Sequence, residues 1–257
     1  MLTPLAALLA AAAAAGPAAP RVAREAPFVV VIDPGHGGDQ DGALSPAGVK
    51  EKDLTLEIAR RVAAALKPQG VRVVMTRTGD LSVPLANRPA IANAIKADVF
   101  ISIHLNSMPT AEQRARTRGI ESYFLSADAT DAHASAVAAR ENADRLAGED
   151  LVDPSDPVAG ILSDLADAES LAGSSRLAYD IHERLVAALG AEDHGVKQAP
   201  FYVLAGARMP AVLLELGFLS HQDDAARLMS RGYQERIAAA IADGVRAWRQ
   251  ETRRARR

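Results

Sequence analysis

The fold is decided by one stretch near the amino terminus, Val29-Val30-Val31-Ile32-Asp33-Pro34-Gly35-His36-Gly37-Gly38-Asp39. Four β-branched residues in a row predict a buried strand, and the proline and glycines that follow predict a turn at its end. The turn holds a single imidazole, His36, between glycines that let the backbone approach a bound ion or substrate closely. On its own, this turn also fits a histidine that is merely tolerated as a polar residue.

Strands and helices alternate outward from this stretch. Apolar runs predict strands over residues 71–75, 99–104, 119–125 and 211–216. Helical periodicity predicts a helix that Asp53 caps and that ends before Pro68, and further helices over about 85–96, 223–229 and 233–248. Alternation with strands that are apolar throughout predicts the α/β class: one domain with a mostly parallel twisted sheet, helices on both faces, and functional residues at the carboxyl ends of strands.

The composition is that of a globular protein and excludes several function classes. Of 257 residues, 49% are apolar and 24% are charged, with a net charge of −3. Basic residues form a run only at 253–257, so we predict no nucleic-acid partner. The chain has no cysteine, so disulfides and thiolate metal sites are excluded, and any zinc must be held by histidines and carboxylates.

The first 26 residues are predicted to be a leader. An apolar run from Leu5 to Ala15, followed by small residues, resembles the core and cleavage site of a signal peptide. The first basic residue is Arg21, so the usual positive start is missing and an alanine-rich extension is the alternative. We therefore divide the chain into a leader (1–26), a catalytic domain (27–250) and a basic tail (251–257). We predict export to the periplasm, a mature protein without a membrane span, and a monomer.

Four polar side chains stand where predicted elements meet one rim of the sheet. They are His36 after the first strand, Glu51 just before the first helix, His104 at the end of the third strand and Glu215 at the end of the last. Two histidines and one carboxylate with an open position form a catalytic zinc site, and hydrolysis needs a further carboxylate as base. Each has an ordinary alternative: Glu51 as a residue favoured by the helix dipole, His104 as a satisfied strand-end imidazole, and Glu215 as the partner of Arg208.

Several segments together resemble the zinc-dependent N-acetylmuramoyl-L-alanine amidases of type 3, which include the cell-division amidases and trim bacterial peptidoglycan. The resemblance spans about residues 28–248 and is carried, in order, by Ile32-Asp33-Pro34-Gly35-His36-Gly37-Gly38, Glu51-Lys52-Asp53, Thr76-Arg77, Leu85-Ala86-Asn87-Arg88, Ser102-Ile103-His104-Leu105-Asn106-Ser107 and Glu215-Leu216-Gly217-Phe218-Leu219-Ser220. The sequence departs from the family pattern at three places that are not implied ligands, Gln40-Asp41, Leu105 and His221.

The resemblance implies a roughly six-stranded sheet, Zn²⁺ held by His36, Glu51 and His104, and Glu215 as the catalytic carboxylate. Zinc would lower the pKa of a bound water toward about 7 while Glu215 takes its proton and passes it to the leaving amine. The bond cleaved would be the amide between N-acetylmuramic acid and L-alanine of the stem peptide, in wall remodelling and daughter-cell separation.

Three further residues have less certain roles by sequence alone. Asn106 is a candidate for contacting substrate or orienting His104, and a strand-end turn residue is the alternative. Arg77 and Arg88 are predicted to be buried ion-pair or packing residues rather than substrate clamps.

Residues 131–173 form a longer connection than a compact sheet needs, and we predict that they are a helical regulatory insertion, with helix breaks at 153–157 and 173–175. The stretch from Ala138 to Leu146 resembles the segment that forms a helix over the zinc in division-type amidases. Glu141 is then the candidate autoinhibitory ligand; a solvated helix residue among Arg140, Asp144 and Arg145 is the alternative. Apolar residues farther on are predicted to meet an activator, by resemblance a LytM-type factor: Val158, Ile161, Leu162, Leu165 and Leu171.

Two other function classes compete with the amidase. One is a catalytically inactive peptidoglycan-binding protein of the same fold, against which stands the complete set of implied ligands and base. The other is a phosphate-handling enzyme that uses the turn from Gly35 to Gly38 as an anion loop, but no lysine or threonine follows as a P-loop requires.

Overall fold

The computed structural model describes residues 27–144 and 168–255. Its strands are β1 (Phe28–Pro34), β2 (Val71–Met75), β3 (Val99–Asn106), β4 (Ile120–Leu125), β5 (Asp193–Ala199) and β6 (Ala211–Phe218). They form one six-stranded sheet in the order β2-β1-β3-β6-β4-β5. All neighbours are parallel except β4 and β6, which are antiparallel. The predicted fold class, a mostly parallel α/β sheet, is confirmed.

Helices cover both faces of this sheet. They are α1 (Glu51–Leu66), α2 (Asn87–Ala94), α3 (Ala111–Arg116), α4 (Ala132–Asn142), α5 (Ala168–Leu189), α6 (Gln222–Leu228) and α7 (Arg231–Ala255). Side chains alternate along β1, so Val30 and Ile32 pack with α1, α5 and α7, whereas Val29 and Val31 pack in a second cluster with α2 and α4. Burial on both faces explains why β1 is apolar at successive positions. Within the described residues, no helix is both long enough and apolar enough to cross a membrane.

The start of α1 differs from the prediction. The helix begins at Glu51, and its N-cap is Lys50, which makes no side-chain capping bond. Asp53 is therefore not the cap, and Glu51 lies in the helix rather than before it. The reason is tertiary: the Glu51 N–H donates to the Ala43 carbonyl at 2.9 Å, which fixes the helix start from outside the helix.

The predicted helix break at residues 173–175 is also wrong, because α5 runs through it without interruption. Gly173 lies close to a neighbouring segment: a Cβ there would lie 2.8 Å from Pro210 Cγ. Ser174 sends its hydroxyl to the Ser170 carbonyl at 2.8 Å and accepts the Ala211 N–H at 2.9 Å. These small residues serve close packing between α5 and β6, not a turn.

Other boundaries shift for local reasons. β5 and α3 have no counterpart in the sequence prediction; β5 is an edge strand with sequence DHGVKQA, which lacks an apolar run. The helix predicted over 85–96 spans only Asn87–Ala94 and is followed by Lys96, whose φ of 52° is left-handed. α7 continues to Ala255, so residues 251–255 of the predicted tail are helical.

The predicted regulatory insertion is described only in part. Residues 132–142 form α4, and α5 begins at Ala168 and buries Leu177, Ile181 and Leu185 in the core, so α5 belongs to the cover of the sheet. The predicted break at 153–157 and four of the apolar residues assigned to an activator, Val158, Ile161, Leu162 and Leu165, lie outside the described residues. The leader, residues 1–26, lies outside them as well.

Candidate metal centre and active site

The glycine turn after β1 places His36 at the carboxyl end of the sheet. The turn continues the sheet by one bond, from the Gly35 N–H to the Ile103 carbonyl at 2.9 Å. His36 itself adopts a left-handed φ of 59°, a conformation that costs energy for a residue with a side chain. Buried Arg77 and Arg88 hold this conformation by donating to the Gly35 carbonyl at 2.7 Å and the His36 carbonyl at 3.2 Å. Both arginines therefore have the structural role predicted for them.

Glycine is required at two positions around the histidines because side chains would collide with them. A Cβ on Gly35 would lie 2.5 Å from His104 Cε1, so only glycine leaves room for that ring. A Cβ on Gly42 would lie 2.6 Å from both Glu51 Oε2 and His36 Cδ2, and Gly42 has a left-handed φ of 68°. Packing around the site thus requires glycine at both positions.

The sheet register brings His104 and Glu215 together. They are paired positions on the parallel strands β3 and β6, so their side chains emerge side by side at one edge. Glu51 reaches the same edge from the first turn of α1. Its Oε1 accepts the Leu105 N–H and its Oε2 accepts the Ala43 N–H, both at 2.8 Å, which fixes the orientation of its carboxylate.

Four side chains converge on one buried point: His36, Glu51, His104 and Glu141 each offer one ligand atom, and these atoms lie within 4.8 Å of one another. His36 Nε2 is 3.0 Å from Glu51 Oε1 and 3.5 Å from Glu141 Oε2. His104 Nδ1 is 3.3 Å from Glu51 Oε1 and 2.9 Å from Glu141 Oε2. Glu141 comes from α4, which lies over the other three residues. The structure thus brings together all three predicted ligands and the candidate autoinhibitory residue.

Electrostatics in the cluster follow from burying charges of opposite sign together. Burial opposes the charged form of each group, but the Glu51 carboxylate and Asp144 raise the pKa of His36 well above its usual range. Burial by itself would lower the pKa of His104, but the Glu141 carboxylate outweighs this effect and raises the pKa to about 9. His104 in turn overcomes the effect of burial on Glu141 and lowers the pKa of that carboxyl to about 2. Imidazolium and carboxylate therefore stabilise each other here.

Glu215 lies beside this cluster, and its pKa shifts in the opposite direction from that of Glu141. Its side chain is fully buried, and burial together with the Glu141 carboxylate raises the pKa of Glu215 well above its usual range. The nearest cation is Arg140 on α4, whose Nη2 is 3.7 Å from Glu215 Oε1. The alternative partner considered from the sequence, Arg208, is not its ion-pair partner. A buried carboxyl with a raised pKa can exchange a proton near neutral pH.

Asn106 is committed to a polar network next to the site. Its Nδ2 donates to Glu121 Oε2 at 2.7 Å, and its Oδ1 accepts from Arg140 Nη2 at 2.9 Å. Glu121 is buried and is also met by His133 at 3.0 Å and Lys197 at 3.2 Å. Asn106 therefore links the buried Glu121 carboxylate next to the site to Arg140 of α4.

The sequence indicates only solvated charges at Arg140 and Asp144, whereas the structure gives both residues a role. Asp144 Oδ2 is 2.8 Å from His36 Nδ1, so it orients the imidazole and directs Nε2 toward the cluster. Arg140 also contacts the Ser107 carbonyl at 2.8 Å. The spacing of residues 140, 141 and 144 could have indicated this, because residues three or four apart lie side by side on a helix.

A cluster of two histidines and two carboxylates, at the carboxyl end of a mostly parallel sheet and beside a third buried carboxyl, defines the class of α/β hydrolases with a candidate metal centre. The particular family follows from comparison with known proteins. The family model for N-acetylmuramoyl-L-alanine amidase matches residues 30–247. The chain therefore belongs to the N-acetylmuramoyl-L-alanine amidase family, as the resemblance predicted, and it is an amidase.

Individual relatives agree with this assignment. The chain is 34% identical over 219 residues to the N-acetylmuramoyl-L-alanine amidase AmiA of Escherichia coli (strain K12), covering 84% of this chain and 74% of AmiA. Among solved structures, it is similar to N-acetylmuramoyl-L-alanine amidase AmiC2 of Nostoc punctiforme, with 31% identity, a TM-score of 0.65 and coverage of 87% of this chain and 97% of AmiC2. The amidase from Clostridium difficile 630 has 28% identity, a TM-score of 0.66 and the same two coverages.

Proposed function

We propose that this protein is a zinc-dependent peptidoglycan amidase that cleaves the amide between N-acetylmuramic acid and the L-alanine of the stem peptide. The matching family model and several of the relatives are named N-acetylmuramoyl-L-alanine amidase, which supports peptidoglycan amidase activity. Zn²⁺ as cofactor, and His36, Glu51 and His104 as its ligands, are the parts of the proposal that rest on the site itself. Cell-wall remodelling and daughter-cell separation from a periplasmic location are the setting that we propose for the activity.

One observation carries the zinc assignment: buried ligand atoms converge without bonding to one another. His36 Nε2, His104 Nδ1 and Glu141 Oε2 are buried and have no hydrogen-bond partner within the described residues, although Glu141 Oε2 lies 3.5 Å from His36 Nε2 and 2.9 Å from His104 Nδ1. Orphaned buried polar atoms are costly, and a cation placed among them would satisfy all of them at once. The donor set contains no sulfur and two imidazoles, which fits Zn²⁺.

The chain's own residues account for the proton transfers. A bound zinc ion supplies Lewis acidity, which polarises the scissile carbonyl and eases deprotonation of the attacking water. Glu215 accepts the proton of that water and delivers it to the leaving amine of L-alanine, since both of its oxygens are buried without a hydrogen-bond partner within the described residues. Glu51 keeps its orientation through two backbone N–H donors throughout.

We propose further that α4 holds the enzyme in a resting state. His36, Glu51, His104, Glu141 and Glu215 are all 5% exposed or less, so substrate cannot reach them while α4 is in place. Glu141 occupies a position among the ligand atoms, and Arg140 stands next to Glu215. An activator needs only to bind the displaced state of α4 more tightly than the resting state to shift the population toward activity. A LytM-type factor is the activator that we propose.

Glu215→Gln tests the assignment of roles. We expect the variant to bind one equivalent of zinc as the parent does, while release of peptide from purified sacculi falls by about 10²–10⁴-fold. Zinc content is measured by elemental analysis of the purified protein and hydrolysis by chromatography of the released peptides. Hydrolysis at the parental rate would overturn the role of Glu215. If the parent and a variant without α4 both bound zinc and neither hydrolysed sacculi, the result would instead support the inactive peptidoglycan-binding protein.

A further inference from the structure

The end of the sheet opposite the candidate metal centre carries an open cleft of about 780 Å³. The segments at the amino ends of β1, β3 and β6 form its walls, together with residues of α5 and α7. Its lining side chains within the described residues include one acid, Asp98, and six cations: Arg72, Lys96, Arg176, Arg208, Arg249 and Arg253. The chain as a whole has a net charge of −3, so this cleft is a local concentration of positive charge.

Four of these cations are available to a ligand. Arg72, Lys96, Arg176 and Arg208 are exposed, and none of them forms an ion pair with another described residue. Asp98 forms no ion pair with these four cations, and its Oδ2 accepts the Val29 N–H at 2.7 Å. The cleft therefore presents like charges that would repel one another less if an anion lay between them.

The floor of the cleft is preformed by aromatic and backbone contacts. Trp248 Nε1 donates to the Gly173 carbonyl at 3.1 Å, and the Phe28 and Trp248 rings lie 6.3 Å apart. The Arg249 guanidinium lies 4.6 Å above the centre of the Phe28 ring. The aromatic floor lies beneath the cationic side chains, and the volume of the cleft is within the usual range for a ligand site.

Lys96 provides a second, independent observation. It occupies the position after the end of α2 in the left-handed conformation, with φ at 52°, where glycine or asparagine is normally favoured. A lysine in this position forgoes stability, and such exceptions collect at functional sites. Lys96 lines the cleft, so its charge is placed there at the expense of local backbone preference.

We propose that this cleft is a second substrate-binding site that holds carboxylate-bearing peptide stems of peptidoglycan away from the scissile bond. The proposal rests on the peptidoglycan substrate of the proposed function and not on the metal. A guanidinium pairs with a carboxylate through two parallel hydrogen bonds, and every stem peptide ends in a carboxylate. A concave site matches a discrete peptide end better than it matches a flat anionic surface such as a lipid bilayer. Because sacculi present many stems, binding at both ends of the sheet would retain the enzyme on its polymer.

The test compares two charge-reversal variants of the full chain. In Arg176→Glu/Arg208→Glu, we expect co-sedimentation with purified sacculi at low salt to weaken by roughly tenfold, and peptide release from sacculi to fall in parallel. Release from a small soluble muropeptide should stay at the parental rate, because the catalytic end is unchanged. Arg227→Glu/Arg231→Glu makes the same change of charge at exposed positions outside the cleft and should leave sacculus binding at the parental level.

Lys96→Gly separates binding by the cleft from the stability of the fold. We expect its melting temperature to rise, because glycine suits the left-handed position, while its binding to sacculi weakens. A gain in stability with parental binding would count against the proposal.

Two outcomes would overturn it. One is parental sacculus binding by the Arg176→Glu/Arg208→Glu variant. The other is that the same variant binds sacculi as the parent does but no longer binds vesicles that contain anionic phospholipid. That result would assign the cleft to a membrane surface. Failure of the proposed function is distinguishable, since it would appear as a parent protein that binds sacculi through the cleft but hydrolyses neither sacculi nor the soluble muropeptide.

Discussion

The two ends of the sheet handle charge in opposite ways. At the carboxyl end, imidazoles and carboxylates lie 2.9–3.5 Å apart and almost completely buried. At the amino end, arginines and a lysine stand exposed over an aromatic floor. Charges removed from water must be paired or bound to a metal in a fixed geometry, whereas solvated charges act at a distance and tolerate motion. The carboxyl end is therefore suited to chemistry and the amino end to capture of a charged polymer.

The first way to break this comparison is to disturb the geometry of the buried end by one methyl group. In Gly35→Ala, the new Cβ would lie 2.5 Å from His104 Cε1, so the ring must move away from the cluster. We expect zinc affinity to fall about 10–100-fold, measured by competition with a chromophoric chelator. Gly79→Ala is the control, since a Cβ there meets nothing within 4 Å. Parental zinc affinity in Gly35→Ala would show that the buried end tolerates displacement.

The second prediction applies the same change to the amino end. Gly173→Ala places a Cβ 2.8 Å from Pro210 Cγ, and we expect the free energy of unfolding to fall by about 1–3 kcal/mol, read from chemical denaturation. Zinc binding should not change, because the floor of the cleft lies at the far end of the sheet. Gly232→Ala, also in a helix but with nothing within 4 Å, should be neutral or slightly stabilising. Equal stability of the two variants would contradict the close packing assigned to Gly173.

The third prediction concerns α4, which closes the buried end. Glu141→Ala removes the contacts of Glu141 with His104 at 2.9 Å, His36 at 3.5 Å and Arg140 at 3.0 Å, but it leaves the bonds from Arg140 to Ser107 and Asn106 in place. Loss of the buried contact to His104, worth about 1–3 kcal/mol, should raise basal peptide release from sacculi about tenfold without an activator. Glu235→Ala, an exposed glutamate on α7, is the matched control. A Glu141→Ala variant that folds, binds zinc and shows no gain would contradict the role of Glu141 in holding the resting state.

The smallest expected effect is the release of protons from the two histidines when zinc binds. Because the pKa of His104 is raised to about 9 and the pKa of His36 is raised well above its usual range, both imidazoles carry protons at neutral pH before metal binds. Zinc requires neutral imidazole, so binding should release about one proton per histidine, measured by calorimetry in buffers of different ionisation enthalpy. Zinc binding without proton release would contradict the ion pairs of the cluster.

The same shifts give the metal-free protein a pH dependence. A pKa raised by folding stabilises the fold fully below the unfolded value of about 6.5, and this contribution is lost as the pH rises through the folded value. We therefore expect the melting temperature of chelator-treated protein to fall between about pH 6.5 and 9, and that of the zinc-bound protein to change less. A flat profile for the chelator-treated protein would show that the histidines do not gain their protons on folding.

Much of the fold and part of the site followed from local patterns in the sequence. The β-branched run before Gly35 identified β1, and the alternation of apolar strands with helices gave the α/β class, because burial on both faces leaves an apolar sequence. His36, His104 and Glu215 could be assigned to one rim because each stands at the end of a predicted strand or just after it. β5 could not be found in this way, since an edge strand needs no apolar run.

Sequence by itself thus determined the family and the fold class, and it predicted three candidate ligands and a candidate catalytic carboxylate, since these depend on short motifs at or near strand ends. Only the tertiary structure decided what the solvated-looking charges do. Asp144 meets His36 across 108 positions of the chain, and four separate segments supply Arg72, Lys96, Arg176 and Arg208 to one cleft in a chain of net charge −3. The energy of a charge depends on its neighbours in space and on its exposure to water, and neither is encoded in the spacing of residues along the chain.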